Sequence, residues 1–164
     1  MKKLLYENYE PYPLKRALDA YGNYRIEMRK LEVQEANKEM AELLVIPLGS
    51  SFTYLERVVS IDDRREIIIR NYFNHPQMAE IIKQSAADSY YYREIYAAFL
   101  LRISRTAEDV SIHRVSKEDA VVLGEDVHDV LYIRGKAFDQ MNNLVEYYEY
   151  LIDPEVISVR MRFD

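Results

Sequence analysis

The chain repeats its own order of elements: shifted by 77 residues, helix–strand–turn–strand falls on helix–strand–turn–strand. Leu44 then meets Val121, Arg57 meets Arg134, Asp62 meets Asp139 and Ile67 meets Leu144. Each copy holds a hairpin. In the first, Phe52 to Ile61 and Glu66 to Phe73 flank the turn Asp62-Asp63-Arg64. In the second, His128 to Phe138 and Leu144 to Ile152 flank Gln140-Met141-Asn142-Asn143. Strands this short bury an apolar face only in a shared sheet with helices packed on it. The repeat therefore predicts an α+β fold: an antiparallel sheet with inserted helices, built as two similar halves. Two such halves leave a cleft at their junction, where a ligand would sit.

The remaining elements follow from periodicity and punctuation. Glu7 to Tyr12, broken by Pro11 and Pro13, reads as an extended lead-in rather than core, so residues 1–12 are set apart from a domain spanning 13–164. A short helix over Leu14–Ala20 precedes Tyr24-Arg25-Ile26-Glu27-Met28, which alternates with period two as a strand. The phase slips near Lys30, where Leu31 and Val33 continue the apolar set, and a bulge explains the slip. Ala36 to Leu44 reads as a helix. Asn74-His75-Pro76-Gln77 predicts a helix start with Asn74 as cap. A further helix begins near Asp88-Ser89, Leu101 to Val115 is a long strand, and Ser116-Lys117-Glu118-Asp119 resembles a capping box. Ile157, Val159, Met161 and Phe163 alternate in a last strand.

Charge and composition narrow the function. The net charge is −6, and Arg25, Arg29, Arg57, Arg64, Arg65 and Arg70 alternate with carboxylates instead of gathering on one face. With no recognition helix and no Gly-rich phosphate loop, direct DNA binding is not expected. The absence of cysteine excludes thiol catalysis and thiolate metal sites and fits a cytoplasmic setting. His75, His113 and His128 lack ligand spacing, so neither metal nor cofactor is expected. No apolar run approaches the ~20 residues of a membrane span.

Four places combine charge or hydroxyls with apolar surroundings. Arg57 shares its strand face with Leu55, Val59 and Ile61, and a guanidinium there needs an anion, either an internal carboxylate or a ligand. Glu146 lies among Leu144, Tyr148, Tyr150 and Ile152 and poses the same question with the sign reversed. Ser89 and Tyr91 stand at a predicted helix start, where backbone N–H groups favour an anion, although an ordinary cap and a core tyrosine read equally well. Arg134, on a face with Val130, Tyr132 and Phe138, either assists an acidic ligand or is simply exposed.

Several ordered strings carry a family resemblance. They are Ala41-Glu42-Leu43-Leu44-Val45-Ile46-Pro47-Leu48-Gly49-Ser50, Tyr54-Leu55-Glu56-Arg57, Arg70-Asn71-Tyr72-Phe73, Ser89-Tyr90-Tyr91, Leu101-Arg102-Ile103-Ser104-Arg105, Leu131-Tyr132-Ile133-Arg134 and Val145-Glu146-Tyr147. Together, over Pro13 to Asp164, they resemble the UTRA domain, the effector-binding half of HutC-branch GntR regulators. The resemblance implies a chorismate-lyase-like fold, homodimerisation and a ligand pocket between the halves. It also implies ligand-binding roles for Arg57, Ser89, Tyr91 and Glu146. Two family positions differ here: Val59 stands where a second arginine is common, and Ile69 where a second glutamate is common. Val59 argues against a tightly held phosphate, and Ile69 against an amino-sugar phosphate ligand.

The expected function is thus a binding module, not an enzyme. A small, anionic metabolite would modulate DNA binding through a winged helix-turn-helix domain that these residues do not include. The alternative is a chorismate-lyase-like enzyme, since fold does not fix function.

Overall fold

Both hairpins form and lie side by side in one sheet. The computed structural model describes residues 2–124 and 126–163; Met1 and Asp164, the outer limits of the two expected segments, fall outside them with Glu125. In chain order the elements are β1 (Leu4–Glu7), α1 (Pro13–Tyr21), β2 (Tyr24–Glu35), α2 (Lys38–Leu44), β3 (Ser51–Ile61), β4 (Arg64–Phe73) and α3 (Met78–Lys83). Then follow α4 (Tyr92–Phe99), β5 (Ile103–Arg114), α5 (Lys117–Leu123), β6 (Asp129–Asp139), β7 (Leu144–Ile152), a 3₁₀ turn (Pro154–Val156) and β8 (Ile157–Arg160). Six strands make an antiparallel sheet in the order β2-β3-β4-β7-β6-β5, so two three-stranded halves meet at β4 and β7. The first hairpin closes through Asp62 and Asp63 at φ 51° and 65°. Two successive positive φ values match the twist of the flanking strands, and aspartate tolerates them.

The halves are offset by more than 77 residues. Helices α2 and α5 begin 79 residues apart, at Lys38 and Lys117, and β3 and β6 begin 78 apart, at Ser51 and Asp129. In a strand an error of one residue turns every side chain to the other face. That is why Arg57 and Arg134, matched by the sequence offset, point to opposite sides of the sheet. The paired helices are capped alike: Asn37 Oδ1 accepts from the Met40 N–H at 2.9 Å, and Ser116 Oγ from the Asp119 N–H at 3.2 Å.

One face of the sheet packs Val59, Ile67, Ile69, Ile133 and Ile152 against Leu14 and Leu18 of α1 and against Leu4 and Tyr6. Further along that face, Leu55 and Phe73 meet Met78, Ile82, Tyr91 and Ile95. The opposite face carries α2 on Phe52 and Tyr147, and the region of α5 on Ile68 and Leu151.

Three local expectations are corrected. The lead-in belongs to the core: β1 pairs in parallel with β8, and Leu4 and Tyr6 are 1% and 0% exposed. Fully burying a large apolar side chain stabilises by about 1.5–3 kcal/mol, so this segment is part of the fold. The last strand stops at Arg160, leaving Met161 and Phe163 exposed, because β1 offers partners only from Leu4 to Glu7. Asn74 caps no helix; its Nδ2 donates to the Leu144 carbonyl at 2.6 Å, and α3 starts only at Met78. The bulge near Lys30 is present, between Met28 and Lys30.

Candidate functional site

Arg57, Ser89, Tyr91 and Glu146 converge at the junction of the halves. Arg57 on β3 is 4% exposed and Glu146 on β7 is 2% exposed. Between them stands Asn71 of β4, which sequence reasoning passed over. Its Oδ1 accepts from Arg57 Nη2 at 2.9 Å, and its Nδ2 donates to Glu146 Oε2 at 2.9 Å. Tyr92, at the start of α4, completes the chain by donating its hydroxyl to Glu146 Oε1 at 2.8 Å. Two buried charges of opposite sign are thereby joined through a neutral amide that satisfies both.

The segment before α4 closes over Arg57. Nη1 donates to the carbonyls of Ala87 at 2.9 Å and Ser89 at 2.7 Å. The Tyr91 ring lies under the guanidinium at 5.1 Å, a cation–π contact held by a left-handed Tyr91 backbone at φ 66°. Ser89 meets Arg57 through its carbonyl, while its hydroxyl accepts from the Tyr91 N–H and donates to Glu94. Helix α4 itself starts at Tyr92, later than expected, so its free N–H groups do not point at Arg57 from a Ser89 cap. Among the described residues Arg57 Nε has no partner, and the space beside it is a cavity of about 10 Å³, room for roughly one water.

A larger cavity of about 320 Å³ adjoins this nucleus, with Tyr92 in its wall. Tyr12, Tyr90, Tyr148 and Tyr150 also line it, as do Arg105 on β5 and the Glu10–Pro13 strap. None of these was singled out as a site from sequence, where tyrosines read as packing. Arg134 stays apart: it projects from the opposite face, half exposed, 3.7 Å from Asp109. Among the described residues no group of side chains has the makings of a metal site, and no helix is long and apolar enough to cross a membrane.

Burial pushes the Glu146 carboxyl up to about 7, against the hydrogen bonds of Tyr92 and Asn71 and the charge of Arg57. The sign for stability follows. A carboxyl whose pKa is raised on folding stabilises fully below its unfolded value, and that stability is lost as pH rises through 7. Glu66 is also raised to about 7, by burial and Asp153, and acts in the same direction. We therefore expect Glu146→Gln to lose less stability than the parent chain between pH 5.5 and 8, by about 2 kcal/mol. Urea unfolding at the two pH values measures this; identical pH slopes for parent and variant contradict it.

The arrangement is a polar nucleus sealed behind a small cavity on a two-halved sheet. The UTRA domain model matches residues 20–157, and the chain belongs to the UTRA domain family. Among solved structures, PhnF from Mycobacterium smegmatis superposes with a TM-score of 0.85 at 17% identity, over 99% of this chain and 72% of that one. The effector domain of the same protein gives 0.78 at 18% identity, over 92% and 93%. The ligand-binding domain of a Bordetella bronchiseptica protein assigned to the GntR-family transcriptional regulators gives 0.75 at 18% identity, over 87% and 90%. Among curated proteins none matches the chain by sequence.

Proposed function

We propose that this chain is the effector-binding domain of a transcription regulator, taking a small anionic metabolite at the junction of its two halves. The observation that carries this reading is the pair Arg57 and Glu146, buried at 4% and 2% exposure beside a cavity of about 320 Å³. Burying such ions costs several kcal/mol each, and apolar residues of similar volume fold at least as stably. Neither lines that cavity directly, but Tyr92 in its wall donates to Glu146, and this link between the cavity and the buried pair supports a binding role. The effector domain of PhnF and the ligand-binding domain from Bordetella bronchiseptica share this fold and support the same class.

Binding is favoured over catalysis because both Glu146 oxygens already accept hydrogen bonds, from Asn71 and Tyr92. Glu146 also lies behind Tyr92, outside the cavity wall, and so out of reach of a proton on a molecule held there. DNA contacts belong to a separate domain, consistent with the net charge of −6. Metabolite and DNA would meet in the cytoplasm.

A homodimer is part of the proposal. On the face opposite the cavity, cross-strand partners form the row Lys30, Glu56, Arg70, Glu149, Arg134, Asp109. The signs alternate. Arg70 bridges the buried Glu56 to Asp119 within the chain, so a two-fold axis through the middle of the row leaves Lys30 against Asp109 as the pair free to form between copies. Native mass spectrometry of the chain after exposure to size-filtered cell extract tests both parts. The expected result is a dimer carrying one adduct below about 500 Da per chain, in the range such cavities hold. A bare monomer contradicts the proposal.

A further inference from the structure

With the ligand's acid assigned to the Arg57 nucleus, the reading taken here as the starting point, its other end meets a cavity of opposite character. The wall of the larger cavity has two charged side chains, Glu10 and Arg105. Arg105 turns away. Strand alternation sets it with Ala107 and Asp109 on the other face of β5. Its guanidinium lies 3.9 Å from the Phe138 ring and donates to Asn142 Oδ1 at 2.6 Å, and neither partner belongs to the wall. Glu10 remains. Its one ion pair among the described residues is with Arg16 at 3.9 Å, and that arginine side chain is 59% exposed. So loose and wet a pair holds the carboxylate weakly. Ser104 and Thr106 complete the polar wall and carry no charge.

Behind the wall the same sign prevails. Tyr148 gives its hydroxyl proton to Glu108 at 2.6 Å, and Tyr92 gives its own to Glu146 at 2.8 Å. A phenol hydrogen-bonded to a carboxylate has a more electron-rich ring. Glu108 has no cation within ion-pair distance among the described residues. The Tyr12 ring stands 5.1 Å from that of Tyr90 and 6.0 Å from that of Tyr92, and Tyr148 lies 5.1 Å from Tyr150. Tyrosine faces attract a cation within about 6 Å of the ring centre, more strongly where water is excluded. Clustered rings with one loosely held carboxylate in their wall therefore suit an ammonium group. The volume of about 320 Å³, at the small end for ligand sites, holds such a group and a short arm.

We propose that the tyrosine-walled cavity takes the cationic end of a small ammonium-bearing acid, against Glu10 and the rings of Tyr12, Tyr92 and Tyr148. The two ends make different demands on the protein. Arg57 is held by the carbonyls of Ala87 and Ser89 and by Asn71, so an acid reaches it only as the segment before α4 withdraws. The ammonium end needs no such movement.

Four probes of nearly constant shape separate the charges. Glycine betaine has ammonium and acid, and 3,3-dimethylbutanoate keeps the acid with carbon in place of nitrogen. Choline has the ammonium without the acid, and 3,3-dimethylbutan-1-ol has neither. Binding is followed by calorimetry and by tyrosine NMR shifts. Betaine is expected to bind at least about tenfold more tightly than 3,3-dimethylbutanoate, and choline than 3,3-dimethylbutan-1-ol. Glu10→Gln should weaken betaine and choline roughly tenfold and leave 3,3-dimethylbutan-1-ol unchanged. Tyr12→Leu, which keeps apolar bulk but removes the ring, should act in the same direction. Both side chains are partly exposed, so neither change threatens the fold. Carbon analogues that match their ammonium partners overturn the ammonium assignment, and the acid reading then stands if 3,3-dimethylbutanoate outbinds 3,3-dimethylbutan-1-ol. Choline matching betaine supports the ammonium site and counts against an acid at the nucleus. No binding by any probe up to about 10 mM, a level at which even very weak complexes form, overturns the ammonium site. The adduct from cell extract judges the effector reading separately.

Discussion

Arg57→Met destabilises the chain by about 3–5 kcal/mol at pH 8, the range for removing one partner of a buried charge pair. The side chain is 4% exposed, so water does not replace what is lost. The carbonyls of Ala87 and Ser89 and the Asn71 Oδ1 lose their donors, and Glu146 loses the nearest cation in its surroundings. The loss is smaller at pH 6. There Glu146, raised to about 7 by burial even beside Arg57, is largely neutral and no longer needs the guanidinium. The double variant Arg57→Met with Glu146→Gln recovers part of the stability, since each single change strands a charge that the double change removes. Urea unfolding midpoints for the four chains decide it. A loss below about 1 kcal/mol at both pH values, within the span of ordinary surface changes, contradicts the coupling.

Gly135→Ala is the second large effect. On β6, Gly135 pairs with Tyr148 of β7, and a Cβ at Gly135 would fall inside the Tyr148 ring. Tyr148 leans across the bare glycine to donate to Glu108 Oε2 at 2.6 Å, where Tyr6 donates as well, also at 2.6 Å. One methyl group must push the ring aside, with three consequences. It opens the contact to Glu108, disturbs the anchor of β1 and deforms the cavity wall. Overpacking of this kind costs about 1–3 kcal/mol, and the lost hydrogen bond adds about 1 more. For a chain of this size each kcal/mol lowers Tm by about 2–4 °C, so a fall of roughly 4–16 °C is expected. Shortening the obstructing ring, as Tyr148→Leu, should make the chain tolerant of Gly135→Ala. An unchanged Tm in Gly135→Ala alone would mean that the ring does not lie over the glycine.

Local pattern foretold what local forces decide. The hairpins, the slip near Lys30 and the cap at Ser116 each depend on a few neighbouring residues, and each is where periodicity or capping chemistry placed it. Arg57 and Glu146 stood out because a charge on an apolar strand face is costly anywhere. Non-local pairing was not legible. Nothing within Leu4–Glu7 announces a partner more than a hundred residues away, so β1 read as a lead-in. The repeat was visible, yet its offset was one residue short for the strands, so it matched Arg57 with an arginine on the opposite face. Asn71 escaped notice because a neutral amide on a strand looks like edge decoration until charges are found on both sides of it. The cavity tyrosines escaped for the opposite reason: the chain has fifteen, and most do pack.

Those fifteen tyrosines give the most direct test of the claim that a small molecule is held at the junction of the halves. They divide by face. Tyr12, Tyr90, Tyr92, Tyr148 and Tyr150 line the cavity, whereas Tyr54, Tyr72 and Tyr147 stack in a row on the other side of the sheet. With ring carbons labelled, each reports its own surroundings as size-filtered cell extract, then its active fraction, is titrated into the chain. The account predicts saturable shifts in the first group and none in the second. Shifts centred on Tyr54, Tyr72 and Tyr147, with the cavity group silent, would contradict it.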